Sequence, residues 1–212
     1  IEIDLLKFLK KYMILIDSVY IHTDGGKTVL NTLLDTIIKS KLSHNFYLLC
    51  DTRICLEKIS VFQNKFIKKG ELSRRKFYKK NITSFDKVLC LANVPPPIKV
   101  NNQVHIYFHN ELIINPFKAK ISLVNKFLFI LKKYYLITFK NNYFWLVQTN
   151  HMKKGLVNIL NINELLISKV PIFEDFLQKN IHTNPNTFLY PTSSHKHKNN
   201  EHLVKAFINA AN

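Results

Sequence analysis

The chain has 212 residues, of which 31 are Lys or Arg and 14 are Asp or Glu, so its formal net charge is +17 at pH 7. With 47% hydrophobic residues and 16 Phe, it can bury a core, which excludes an intrinsically disordered chain. The longest apolar stretch, residues 121–139, is interrupted by Lys126, Lys132 and Lys133, so it is not predicted to span a membrane.

Strand-like apolar runs alternate along the chain with helix-like stretches. The predicted strands cover residues 12–17, 46–50, 87–91, 104–108, 143–147 and 169–173, and the predicted helices cover 28–39, 56–80, 117–131 and 152–160. Such alternation predicts an α/β fold with a Rossmann-like, doubly wound parallel sheet over residues 13–182. The carboxyl ends of its strands would share one edge, where such folds bind ligands.

The two ends of the chain differ from this pattern. Residues 1–12 are predicted to be a peripheral extension with a short amphipathic helix. Residues 183–212 contain a predicted strand at 187–190 and a helix from about 200 to 211. One βα unit cannot bury both of its faces, so this tail is predicted either to pack on the first sheet or to belong to a second domain that the chain does not complete.

The kind of charge and the amino terminus bear on partners and compartment. Only three of the 31 basic residues are Arg. Because base readout and bidentate phosphate binding favour Arg, we expect no specific nucleic acid, and an anionic membrane surface is the next partner to consider. Glu2 and Asp4 stand where a secretory signal would be basic, so we expect a cytoplasmic protein, with peripheral contact to the inner face of a membrane.

Cysteines and histidines give no sign of a disulfide framework or a metal. The cysteines are odd in number and form no CxxC pair, which favours reduced, mostly buried thiols: Cys50, Cys55 and Cys90. His195, His197 and His202 cluster in the tail, but no carboxylate or Cys completes a ligand set. The sequence predicts no metal site.

Gly25 and Gly26 lie between the first predicted strand and its helix. Glycine allows a ligand phosphate or sugar to approach the amides at a helix N-terminus. The segment is neither GxGxxG nor a GxxxxGK[ST] phosphate loop, so a nicotinamide dehydrogenase or a nucleoside triphosphatase is not supported. A glycine turn needed only for tight packing is an equally weighted alternative.

Polar residues follow two later strands. His109 and Asn110 come directly after the 104–108 strand, which would put an imidazole and an amide at the carboxyl edge, in reach of sugar hydroxyls. The alternative is an incidental loop histidine. Gln148 and Thr149 take the same place after the 143–147 strand, and helix capping, by Thr149 or Asn150, is the favoured explanation.

Taken in order, these segments resemble the retaining glycosyltransferases of family 4, the "group 1" family with the GT-B architecture. The matching segments are 14–17 with Gly25-Gly26, 85–90 with 93–96, 107–110, 147–153, and 188–191 with 197–199 and 206–207. The resemblance extends over nearly the whole chain after residue 12. It implies that residues 13–182 are the acceptor-side domain and that residues 183–212 begin the domain that binds a nucleoside-diphosphate sugar.

The resemblance also implies roles for individual residues. His109 would be the catalytic residue facing the transferred sugar, and Gly25 and Gly26 would approach the donor phosphates or the acceptor. The remaining substrate-binding residues would be Asn110, Gln148 and Thr149. Lys198 matches the basic residue that neutralises the diphosphate leaving group, whereas Ser193 stands where the family often has Arg.

The implied reaction moves a sugar, with retention of configuration, from a nucleoside-diphosphate sugar to an envelope glycan or a lipid-linked acceptor, without a cofactor. The family's paired glutamates, spaced eight apart, do not occur up to Asn212. We therefore expect an acceptor-side fragment or split subunit that needs a separate donor domain and does not transfer sugar alone.

Two alternatives remain open at this stage. The Lys-rich segment 58–80 contains Arg74, Arg75, Phe77 and Tyr78, so charge and stacking could bind RNA or another polyanion without catalysis. A solvated helical face is the favoured explanation of that segment. The third reading is a degenerate protein in which only the sheet persists.

Overall fold

The computed structural model describes residues 12–117, 122–140, 142–170 and 200–211. The predictions for residues 1–11, for the strand at 187–190, and for Ser193 and Lys198 lie outside these ranges.

In the part of the chain that the structure describes, seven strands form a single sheet in the order β3-β2-β1-β4-β5-β6-β7, and every neighbouring pair is parallel. The strands are β1 (Ile14–Ser18), β2 (Phe46–Asp51), β3 (Gln63–Ile67), β4 (Lys87–Cys90), β5 (Gln103–Phe108), β6 (Phe144–Val147) and β7 (Ile167–Lys169). The first six follow the order of a doubly wound nucleotide-binding sheet. The predicted Rossmann-like α/β fold is confirmed.

Helices cover both faces of the sheet. They are α1 (Asp24–Lys39), α2 (Glu71–Asn81), α3 (Glu111–Ile114), α4 (Leu123–Phe139), α5 (Asn150–Leu160) and α6 (Asn200–Ala211). The apolar side of α1 packs in one buried cluster, whereas α2, α4 and α5 contribute to another, which contains Phe77, Leu136 and Leu156. The chain winds from β1 toward β3 on one face and from β4 toward β7 on the other. The winding direction therefore reverses between β1 and β4.

The prediction of one helical region over residues 56–80 is wrong. The segment forms a 3₁₀ turn (Glu57–Val61), the edge strand β3, and then α2. Among the described residues, β2 is the one strand that pairs with β3, and β3 is largely exposed. An exposed edge strand needs no apolar alternation, so its polar composition did not indicate a strand. Gly70, with φ 138°, separates the strand from α2, since no helix continues through that conformation.

Three further boundaries differ from the prediction. Helix α1 begins at Asp24 rather than residue 28, because the amide of Lys27 already bonds to the carbonyl of Thr23 at 3.2 Å. The helix predicted over 117–131 covers Leu123–Phe139, and the Ser122 hydroxyl caps it by accepting from the Asn125 amide at 3.3 Å. The strand predicted over 169–173 is β7, which ends at Lys169, and residues 171–173 lie outside the described ranges.

Candidate functional site

The carboxyl ends of the parallel strands meet at one edge, and the sheet's switch point lies there between β1 and β4. Open α/β sheets bind ligands at this position. Neighbouring strands are about 4.8 Å apart, so β5 lies about 10 Å from β1. The predicted residues that follow β1, β5 and β6 all lie at this edge: Gly25, Gly26, His109, Asn110, Gln148 and Thr149.

Gly25 and Gly26 form the first turn of α1 instead of a loop before it. Neither has a positive φ. A Cβ on Gly25 would meet nothing within 4 Å, and one on Gly26 would only touch the Ile21 side chain at 3.6 Å. The fold therefore does not require glycine at either position, which counts against the packing explanation.

The amides at the start of α1 have no acceptor within the helix, as at any helix N-terminus. The side chain of Thr23, at the N-cap, accepts no hydrogen bond from them. With only hydrogen atoms on the Gly25 and Gly26 α-carbons, a phosphate or sugar can come close to this turn, where the helix dipole favours negative charge.

Asn93, which follows β4, positions His109. It lies 8% exposed in the left-handed conformation, with φ 63°. Its Oδ1 accepts hydrogen bonds from the main-chain amides of His109 at 2.7 Å and Asn110 at 3.0 Å. These two bonds join the ends of β4 and β5 across the edge. Sequence reasoning did not assign Asn93 a role, although an Asn just after a strand is a residue type that tolerates this conformation.

The His109 ring stacks on Tyr107, with 5.1 Å between ring centroids. Burial lowers the pKa of His109, so the imidazole is neutral at pH 7. Since Asn93 accepts through Oδ1, its Nδ2 group is the donor that faces Nε2 of His109 at 3.4 Å. This arrangement places the ring proton on Nδ1, an atom that is buried and has no hydrogen-bond partner among the described residues.

Tyr107 connects the edge to an apolar cavity. Its hydroxyl accepts a hydrogen bond from Nε2 of Gln148 at 2.5 Å, and burial raises its pKa to about 12. Below it lies a cavity of about 210 Å³ on the face that carries α1. The lining residues are Val29, Thr32, Leu33, Thr36, Leu89, Leu91, Tyr107, Leu146 and Val170. The cavity suits an apolar group rather than a charged one.

Asn110 and Thr149 act as helix caps. Oδ1 of Asn110 accepts from the Leu112 amide at 3.0 Å, and Oγ1 of Thr149 accepts from the Met152 amide at 3.2 Å. The capping explanation of Thr149 is thus confirmed. Both side chains lie at the carboxyl edge of the sheet, and each caps a helix there.

A buried ion pair, absent from the sequence-based predictions, lies under the edge on the opposite face. Oδ2 of Asp17 accepts from Nε and Nη2 of Arg74 at 3.1 and 2.8 Å and from the Tyr78 hydroxyl at 2.7 Å. Nη2 of Arg74 also donates to the carbonyl of Pro95 at 3.1 Å. Burial opposes the charge of Arg74, yet the nearby carboxylates outweigh it and hold its pKa well above the usual value. The pair ties α2 to β1 and to the loop after β4.

Glu71 extends this network to the surface. Its carboxylate accepts from Nη1 of Arg74 at 3.0 and 3.2 Å, from the Tyr20 hydroxyl at 2.7 Å and from the Tyr135 hydroxyl at 3.2 Å. Burial, together with the Glu71 carboxylate, raises the pKa of both tyrosines. Both hydroxyls therefore stay protonated and donate at neutral pH.

Comparison with models of protein families and with curated proteins gives no match. Inference about function therefore starts from the groups at the edge: helix amides that the Thr23 side chain does not cap, a neutral imidazole and a carboxamide beside an apolar cavity. No three His, Cys, Asp or Glu side chains in the described ranges come together as a metal site, and His195 and His197 fall outside those ranges.

Proposed function

We propose that the chain is a glycosyltransferase, or the N-terminal part of one, that moves a sugar from a nucleoside-diphosphate sugar to an envelope glycan or a lipid-linked acceptor with retention of configuration. The observation that carries this proposal is that two glycines that the fold does not need and a positioned, neutral His109 lie at the same carboxyl edge of the sheet. An anionic, hydroxyl-rich ligand is the class that suits both features.

Each group has a defined task in the proposed reaction. The amides of the first turn of α1 bind phosphate oxygens, and Nε2 of His109 accepts a hydrogen bond from a hydroxyl of the sugar in place of its 3.4 Å contact with Nδ2 of Asn93. The apolar cavity below Tyr107 accepts an apolar part of a lipid-linked acceptor. The bond from the sugar's anomeric carbon to the leaving phosphate breaks, the bond to the acceptor oxygen forms, and the acceptor proton passes to the diphosphate. In the tail, Ser193 and Lys198 would contact that diphosphate.

The test is ligand binding measured by calorimetry and ligand-observed NMR with uridine-, guanosine- and adenosine-diphosphate hexoses and with oligosaccharide acceptors. We expect His109→Ala to weaken sugar binding about tenfold, the value of one hydrogen bond. His105→Ala is the matched control, because His105 lies on the same face of β5, four residues before His109 and away from the carboxyl edge. Equal effects of the two substitutions, or no binding of any such sugar, would refute the proposal.

Gly25→Ala tests the phosphate-binding turn separately. The added methyl group meets no protein atom within 4 Å, so the variant should fold at least as stably as the parent chain. If a donor phosphate lies against this turn, its affinity should nevertheless fall. If Gly25→Ala left the affinity for every donor that binds unchanged, the first turn of α1 would not contact the donor phosphates.

The alternative function, a polyanion-binding module without catalysis, retains its support from the net charge of +17. Its proposed stacking surface is weakened, because Arg74, Phe77 and Tyr78 are buried and only Arg75 of that set is exposed. Oligonucleotide binding that declines steeply with salt, without any sugar binding, would favour this alternative.

A further inference from the structure

Helix α4 turns its large apolar side chains toward solvent. Eight of them are more than a third exposed: Leu123, Val124, Phe127, Leu128, Ile130, Leu131, Tyr134 and Ile137. Leu123 reaches 81%, whereas Leu136 is the one buried residue of this helix. A helix on the surface of a globular protein ordinarily has the opposite polarity, with its apolar stripe on the core.

The exposed residues form a continuous face. At 3.6 residues per turn they cover an arc of about 180°, which also includes Thr138 and the half-buried Tyr135 but no charged residue. Lys132 borders the arc on one side, and Lys126 and Lys133 border it on the other. Lys133 lies half-buried, with Nζ 3.5 Å from the carbonyl of Ile114, and Lys126 lies over the Phe117 ring at 5.4 Å. Lysines thus flank an uncharged apolar face.

A contiguous apolar face of this size marks an interaction surface. A second copy of the chain is disfavoured as its partner, because each copy carries +17 and the flanking lysines of the two would approach one another. An anionic lipid bilayer meets both requirements, since its acyl chains accept the apolar arc and its phosphates attract the lysines.

We propose that α4 is a docking helix that lies in the headgroup region of an anionic lipid bilayer. The exposed apolar side chains of its arc face the acyl chains, and Lys126 and Lys132 at its borders contact lipid phosphates. Tyr135, which donates to Glu71, connects the helix to the network beneath the carboxyl edge, so docking brings that edge toward the membrane. This inference rests on α4 alone and holds whether or not the chain transfers sugar.

Flotation with lipid vesicles tests the proposal. The chain should float with vesicles of phosphatidylcholine and phosphatidylglycerol, but not with phosphatidylcholine alone, and added salt should reduce binding. Leu123→Ser/Leu131→Ser should weaken binding at least tenfold through lost apolar burial. The control Leu72→Ser/Leu165→Ser removes two other leucines, 84% and 85% exposed, and should leave binding unchanged. Lys132→Gln, which does not alter the apolar face, should weaken binding about fivefold.

Several results would overturn the proposal. Equal binding to both vesicle types would show that anionic lipid is not required. If Leu72→Ser/Leu165→Ser lost as much vesicle binding as Leu123→Ser/Leu131→Ser, α4 would not be the docking helix. Light scattering that shows a dimer without vesicle binding, dissociated by Leu123→Ser/Leu131→Ser, would assign the face to a second copy. Vesicle binding that appears only after Leu203→Ser/Ile208→Ser would instead indicate that α6 covers α4.

Discussion

Replacing Arg74 with Ala tests whether the buried ion pair holds α2 against the sheet. The side chains of Arg74 and Asp17 are each 1% exposed, so the substitution would leave a carboxylate in the core without its cation. Among the described residues, the donors that would remain to Asp17 are the Tyr78 hydroxyl and the Val19 amide. Removal of one partner of a buried pair costs about 3–5 kcal/mol in the free energy of unfolding.

The assay is thermal and urea unfolding followed by circular dichroism. For a chain of this length, 1 kcal/mol moves Tm by about 2–4 °C, so Arg74→Ala should lower Tm by roughly 6–20 °C. Arg75→Ala is the matched control: it lies one residue away on the same helix, but it is exposed, and its effect should stay within about 0.5 kcal/mol. The two substitutions have the same cost in helix propensity, so their difference isolates the ion pair.

A double substitution shows whether the cost arises from the uncompensated charge. Asp17→Leu/Arg74→Met removes both partners, and it should be less destabilising than Arg74→Ala because no lone charge remains in the core. The reasoning would be refuted if Arg74→Ala and Arg75→Ala lowered Tm equally. It would also fail if the double variant lost the summed stability of its two single substitutions.

Three further predictions concern other parts of the molecule. A thiol reagent should modify one cysteine rapidly in the folded chain, Cys55, because the other two are buried and their thiol pKa values are raised; rapid modification of all three would contradict this. Hydrogen bonds from Arg53 lower the pKa of Asp51 to about 2, so this pair stabilises the fold above about pH 4 and is lost toward pH 2. The urea midpoint should accordingly fall more between about pH 4 and pH 2 in the parent chain than in Asp51→Asn. Equal declines would show that the Asp51–Arg53 pair does not stabilise the fold. Gly155→Ala should destabilise the fold by about 1–3 kcal/mol, since its Cβ would lie 2.9 Å from Cδ1 of Ile114. In urea unfolding, adding Ile114→Val to this variant should recover part of the lost stability. A Gly155→Ala variant more stable than the parent chain would disprove the close contact.

The strands buried on both faces could be predicted from the sequence, because a continuous apolar run such as residues 14–16 is typical of a strand with both faces covered. The edge strand β3 could not, since with one partner and an exposed surface it carries polar residues that also suit a helix. A different ambiguity concerns the helix at 123–139, namely which of its sides faces the core. Its sequence is apolar enough for a core helix, and no pattern in it indicates that its apolar side faces outward.

Residues of the candidate site were predictable where they directly follow a strand, as His109 and Thr149 do. The role of Asn93 depends on a left-handed backbone and on two hydrogen bonds to another strand, and neither leaves a local pattern. The Asp17–Arg74 pair joins residues 57 positions apart in sequence. An aspartate at the end of an apolar strand suggests a buried partner, but nothing in a Lys-rich segment distinguishes Arg74 from its exposed neighbours.

The central position of β1 has a consequence for how the chain is made. Ile14 pairs with Phe46 on one side and with Lys87 on the other, 73 residues later in the sequence. As the polypeptide leaves the ribosome, β1 and β2 can pair long before β4 has been synthesised. The edge of β1 that later pairs with β4 therefore has no partner strand while β3 and α2 are being made. Because β1 and β4 pair late, folding is slow relative to a fold with local strand pairing. The unpaired edge of β1 is where newly made chains would aggregate.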